Sequence, residues 1–235
     1  MQLYTYYRSS AAYRVRIALH LKGLDYTAVP VHLTRNGGEQ LSDAYRALNP
    51  NEAVPTLQDG ALTLSQSLAI IEYLDETHPE PPLLPGTPAD RARIRSIAQT
   101  IACDIHPIDN LRVLQYLTGT LGFTEAQKSA WYCHWVERGL AAVERMLTDD
   151  PRPGAFCHGD APTLADCCLA WIFHESLNRG RLSSWWAGSR FVAASGCAHG
   201  WFSPMQGVPP PCPRCSSTCR GQHFSQLKGP GRGRR

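Results

Sequence analysis

Apolar positions fall into short alternating runs and longer helical ones over the first two thirds of the chain. Leu3 to Tyr6 is a short, β-prone run. From about Ser10 the spacing lengthens to that of a helix carried by Val15, Ala18, Leu19 and Leu21, which Gly23 stops after Lys22. Tyr26 to Leu33 alternates as a strand does, and Gly37-Gly38 breaks it. Leu41 to Leu48 predicts a short helix that ends at Asn49-Pro50, because the residue before a proline is pushed out of the helical region. Val54 to Leu57 and Leu62 to Leu64 predict two strands around an Asp59-Gly60 turn. Ser65 to Thr77 predicts an amphipathic helix carrying Leu68, Ile70, Ile71 and Leu74.

The order βαβ, short helix, ββ, helix within residues 1–80 is that of a thioredoxin-like α/β domain. A proline-rich linker, His78 to Pro88, follows it. Thr87-Pro88 opens a predicted long helix to about Thr118, with proline at the first helical position. Thr124-Glu125-Ala126-Gln127 is a capping box for a helix to about Leu147, and Thr163-Leu164-Ala165-Asp166 repeats the cap spacing before another apolar run. Residues 88–170 therefore predict an all-α domain, left incomplete where the regular pattern stops.

Beyond about Leu169 no helical or strand period is sustained. Residues 171–235 hold four of the six tryptophans and nine of the nineteen glycines, with Pro209-Pro210-Pro211 and a Gly/Arg-rich end. Charge divides at the same place: 14 Lys+Arg against 19 Asp+Glu in residues 1–170, then 9 against the single acid Glu175. A native basic tail, a metal-binding appendage and a shifted reading frame of a GC-rich gene compete as readings of this stretch. The shifted frame accounts for the Trp, Arg, Gly, Cys and Pro enrichment together with the loss of acids. Cys212, Cys215, Cys219 and His223 supply four zinc-type ligands, but their second pair departs from zinc spacings, so no metal is expected. The basic residues lack regular aromatic interleaving, and no nucleic-acid partner is expected. No long apolar run predicts a membrane span, and the start lacks a basic-then-apolar leader. Both point to the cytoplasm, where nine cysteines stay thiols and the adjacent Cys167 and Cys168 read as small buried residues.

Chemistry concentrates in Arg8-Ser9-Ser10-Ala11-Ala12-Tyr13-Arg14-Val15-Arg16-Ile17-Ala18-Leu19. It sets two serines where a strand hands over to a helix. Unpaired N–H groups and the local field there favour an anion, and a thiol placed there loses its proton more readily. A serine hydroxyl can donate to the thiolate, or the serine can serve only as the helix cap.

The segment resembles the signature of zeta-class glutathione transferases, whose best-known members are maleylacetoacetate isomerases. The likeness continues through Ala47-Leu48-Asn49-Pro50, Val54-Pro55-Thr56-Leu57, Gln66 to Leu74, Asp104 to Asn110 and Pro162 to Asp166, covering about residues 1–170. Ala11 stands where many members have cysteine. The resemblance implies a glutathione transferase fold, a homodimer, and glutathione as cofactor. Ser9 and Ser10 are the implied catalytic residues at the sulfur. Gln40, Val54, Pro55 (the family's cis-proline), Gln66, Ser67, His106 and Asn110 are the further glutathione contacts it implies. Gln66-Ser67 would hold the γ-glutamyl carboxylate at a helix start, where Ser67 could equally be a cap. Arg8, Arg112 and His106 would meet the substrate's carboxylates, a task that suits the planar guanidinium fork. Asn110 and Arg112 are placed one turn beyond His106 on the same long helix.

The implied activity is glutathione-dependent cis–trans isomerisation of maleylacetoacetate to fumarylacetoacetate in aromatic amino-acid breakdown. Tyr7-Arg8-Ser9 and Cys103 to Asn110 also resemble bacterial maleylpyruvate isomerases. A general transferase, or a glutathione-binding protein without turnover, completes the set of readings.

Overall fold

The computed structural model describes residues 1–150 and 154–170. Residues 171–235, with the candidate zinc ligands and the reading-frame question, lie outside the described residues. The elements of the first part are β1 (Gln2–Thr5), α1 (Ser10–Leu21), β2 (Thr27–Pro30), α2 (Asp43–Leu48), β3 (Thr56–Asp59), β4 (Leu62–Ser65) and α3 (Ser67–Thr77). They form one sheet in the order β2-β1-β3-β4, with β2 parallel to β1, β3 antiparallel to β1, and β4 antiparallel to β3. Helices α1 and α3 pack on this sheet through Val15, Leu19, Ile70, Ile71 and Leu74 against Leu3 and Leu57, all almost fully buried.

Two boundaries differ from the sequence expectation. β2 is shorter than the predicted Tyr26–Leu33 run. Past Pro30 the chain turns at His32, whose ring Nδ1 accepts from the Arg35 amide at 2.9 Å. Ser65 stays in β4 opposite Thr56, so α3 starts at Ser67, after Gln66 turns the chain with φ 74°.

The helical part comprises α4 (Pro88–Gln99), α5 (His106–Ile108), α6 (Leu111–Gly119), α7 (Glu125–Thr148) and a helix entering at residue 164, here α8, which is described to residue 170. The single long helix predicted from Pro88 to Thr118 is thus corrected. Between α4 and α5 the backbone widens into a π-helical stretch, Thr100–Ile105. Pro107 has no N–H to give and its ring crowds the carbonyl four residues back, a conflict that a wider turn relieves. The helix then breaks at Asp109 and restarts at Asn110, whose side chain accepts from the Arg112 amide at 3.4 Å. A Cβ at Gly139 of α7 would overlap Ile105, so glycine there lets α7 lie close against the π-helical stretch.

The sheet domain and the helices share one continuous core, from Leu3 through Leu83 of the linker to Ile94, Leu140 and Leu169. Polar staples hold them together. Lys22 Nζ, its side chain fully buried, donates to Asp75 Oδ1 (2.7 Å) and to the carbonyls of His78 (2.7 Å) and Pro81 (2.9 Å). Asp75 accepts in turn from the Leu83 and Leu84 amides, and Arg95 forks onto Glu72 at 3.0 and 3.2 Å. Asp166 caps α8 by accepting from the Thr163 amide and hydroxyl, both at 2.8 Å.

Candidate active site

Ser9 ends the turn after β1 with extended backbone and caps α1, its Oγ accepting from the Ala12 amide at 3.2 Å. The cap uses a lone pair of the oxygen and leaves the hydroxyl hydrogen free. Capping and donation to a bound thiolate are therefore compatible, and the two readings of this serine do not compete. Ser10 is buried, while Arg8 and Tyr7 beside it are exposed.

A second helix start lies at α3. Gln66 is its N-cap residue, and its side chain makes no capping hydrogen bond to the first amides of the helix. The positive φ of Gln66 is a sparsely populated conformation for a residue with a Cβ, of the kind that collects at ligand sites. Ser67 is the first helical residue rather than the cap, and is buried. Its Oγ accepts from Arg14 Nη1 of α1 at 3.3 Å. Eleven residues of helix behind those open amides make the position suited to an anion.

Val54 and Pro55 are buried, and their peptide is cis. A buried polar network fixes the segment. Asn49 Nδ2 donates to the Ala53 carbonyl (2.8 Å) and Thr56 Oγ1 (2.9 Å), and the Tyr45 hydroxyl reaches the same two oxygens at 2.8 and 2.9 Å. Gln40, in the loop after β2, donates to the Leu33 carbonyl at 3.4 Å and keeps a buried, unpartnered Oε1. Its side chain lies over Gly38 (φ 116°), where a Cβ would collide with it.

The helical wall contributes His106, Asn110 and Arg112. Burial, then the charges of Arg14 and Arg112, push the His106 imidazole down to about 3, so it is neutral at physiological pH. Arg14 and Arg112 thus both bear on His106, which links α1, α5 and α6 at one place. Arg112 is exposed. Asn110 is committed to capping α6, and does not follow His106 along one helix face.

Two residues at this place escaped the sequence reading. Arg14 looks like one more polar helical position in the Arg-Val-Arg stretch, yet it is 2% exposed. Asp109 looks like a surface turn residue, yet both carboxylate oxygens are buried without a partner, and burial raises its pKa to about 7. Periodicity carried no sign of either; the proline two residues before Asp109 was the available hint that the helix breaks there.

Comparison with known proteins agrees with this architecture. The sequence model of the glutathione S-transferase N-terminal domain matches residues 3–82, and that of the C-terminal domain matches residues 136–194. A probable maleylacetoacetate isomerase of Vibrio cholerae is 52% identical over 167 residues, which span 71% of this chain and 77% of that protein. A holo maleylpyruvate isomerase, described as a bacterial zeta-class glutathione S-transferase, superposes with a TM-score of 0.80 at 42% identity over 85% of this chain and 92% of its own. A maleylacetoacetate isomerase from Methylobacterium extorquens AM1, solved with malonate and glutathione, gives 0.79 at 38% identity over 84% and 91%.

Proposed function

The chain belongs to the glutathione transferase family, in its zeta class, and from that premise we propose that it isomerises maleylacetoacetate to fumarylacetoacetate with glutathione as cofactor. The observation that carries the reading is the pair of helix starts described above. One presents a capping serine with a free hydroxyl hydrogen; the other presents open amides with a buried serine and arginine behind them. A thiol suits the first and a carboxylate the second, and glutathione carries both.

When bound, glutathione supplies a thiolate that adds to the conjugated cis double bond and leaves once the resulting single bond has turned. Ser9 donates to the sulfur and holds it ionised, with Ser10 behind it. Val54 presents its backbone, fixed by the Asn49–Tyr45–Thr56 network, to the cysteinyl unit. Gln66, Ser67 and Gln40 hold the remainder of the tripeptide. Arg8 and Arg112 are exposed cations for the two substrate carboxylates, and neutral His106 offers a hydrogen bond without adding charge. Asn110 serves as cap of α6 and thereby sets where Arg112 stands.

Maleylpyruvate is the competing substrate, favoured by the superposition on the holo maleylpyruvate isomerase. We place the protein in the cytoplasm as a homodimer. The five described cysteines are free thiols, and no helix of the described residues is long and apolar enough to cross a membrane. The test is glutathione-dependent loss of maleylacetoacetate absorbance with maleylpyruvate in parallel. Turnover that requires glutathione supports the isomerase, and the faster acid names the substrate. No turnover of either by protein that binds glutathione would reduce the reading to a binding protein.

A further inference from the structure

Arg14 is the largest fully buried side chain among the described residues. Its Nη1 donates to Ser67 Oγ, while Nε and Nη2 are buried without a partner. No carboxylate of the described residues acts on its charge. The groups that do are the thiols of Cys103 and Cys168, and burial, its largest cause, leaves the Cys168 thiol at about 11, hence neutral. Arg112, which acts on His106 together with Arg14, is also a cation. A buried guanidinium without a counter-ion is unfavourable, and fixed proteins rarely keep one. Here it lies directly behind the open start of α3, where Gln66 is held in an unusual conformation and its side chain does not cap the amides.

We propose that Arg14 is a positioning residue whose guanidinium is the buried counter-charge for the γ-glutamyl carboxylate of glutathione, acting through Ser67. A guanidinium has no acceptor, so Ser67 Oγ must accept from it. That occupies a lone pair and turns the Ser67 hydrogen outward, toward the carboxylate. The amides of α3 and the Ser67 hydroxyl make the direct contacts; Arg14 orients the hydroxyl and supplies the charge. Among the described residues the guanidinium has no counter-ion, and the ligand completes the pair. The proposal rests on the glutathione reading above.

The test compares glutathione with its analogue in which the γ-glutamyl α-carboxylate is an amide, by calorimetry on the full chain. Wild type should prefer glutathione at least tenfold, R14M should bind the two within twofold, and R14K should keep part of the preference. Unliganded R14M should melt at or above the wild-type temperature, since an unpaired buried charge has been removed; a merely structural arginine would lower it. In wild-type protein labelled at arginine, the Arg14 Nε–H resonance should move with glutathione and stay in place with the amide, a readout that survives if R14M fails to fold. Undiminished preference in R14M, or an unmoved resonance, overturns the role of Arg14 alone. Absence of glutathione binding by wild type overturns the isomerase reading with it.

Discussion

At the scale of single residues, the proposed site gives polar groups one task on each side. Ser9 accepts from Ala12 and is free to donate; Ser67 accepts from Arg14 and is free to donate. Ser9→Ala removes both roles, and the two losses have different sizes. The cap is worth about 1 kcal/mol of stability. A hydrogen bond to a charged sulfur is worth about 1.5–3 kcal/mol, so turnover should fall roughly ten- to a hundredfold. Parallel melting and rate measurements separate them, and a wild-type rate in S9A would remove Ser9 from the chemistry. Asp109 gives the opposite case, a group with no partner. Its folded pKa of about 7 lies above the ordinary 3.8, so its neutral form fits the fold and its charged form does not. The favourable contribution is complete below about pH 4 and is lost as the pH rises through about 7. Asp109→Asn should therefore leave stability near wild type at pH 4 and raise it at pH 8 by about 1–2 kcal/mol, after allowance for partial solvent exposure. A difference between the two proteins that ignores pH would mean the carboxylate is solvated.

At the scale of elements, each prediction that rested on local chemistry has a counterpart in the fold. The Asp59-Gly60 turn joins β3 to β4, the Thr87-Pro88 start opens α4, and the Thr124–Gln127 box opens α7. These signals lie in consecutive residues and need no tertiary information. The π-helical stretch and the break at Asp109 were not legible, because an apolar period runs through them almost undisturbed while Pro107 changes the backbone. The candidate site was legible where a helix start advertises itself, as at Ser9 and Gln66-Ser67. It was illegible at Arg14, where burial depends on α3 and the helical wall closing over α1. The same limit hid Lys22, a lysine at a helix end that joins α1, α3 and the linker through three donated bonds. Lys22→Met leaves the Asp75 carboxylate without its cation and two carbonyls without a donor. It should cost about 3–5 kcal/mol, read by urea denaturation, with glutathione affinity lowered only through the shared core. A loss under about 1 kcal/mol would show that Asp75 is satisfied by the Leu83 and Leu84 amides alone.

At the scale of the whole molecule, the decisive feature is that one core runs from the sheet into the helices. Leu83 from the linker, Ile94 and Ile97 from α4, and Cys167 and Cys168 from α8 are buried in the same cluster as Leu3 and Leu57. A two-domain outline therefore does not imply two stabilities: opening the helical part strips cover from α1 and α3, whose starts form the proposed glutathione site. Ligand held at those starts should then stabilise the described fold as a unit, since it binds the native state and not the unfolded one. At a hundredfold excess over its dissociation constant, glutathione should add about 2.7 kcal/mol and raise a single melting transition by roughly 5–10 °C. The check is a melting series on a variant with Trp171, Trp185, Trp186 and Trp201 changed to Phe, monitored separately by tryptophan fluorescence, which then reports from Trp131 and Trp135 of α7, and by far-ultraviolet dichroism, which reports from all elements. Coincident curves that shift together with glutathione follow from the shared core. Fluorescence that melts first and ignores the ligand would show instead that α7 unfolds independently of the domain that binds glutathione.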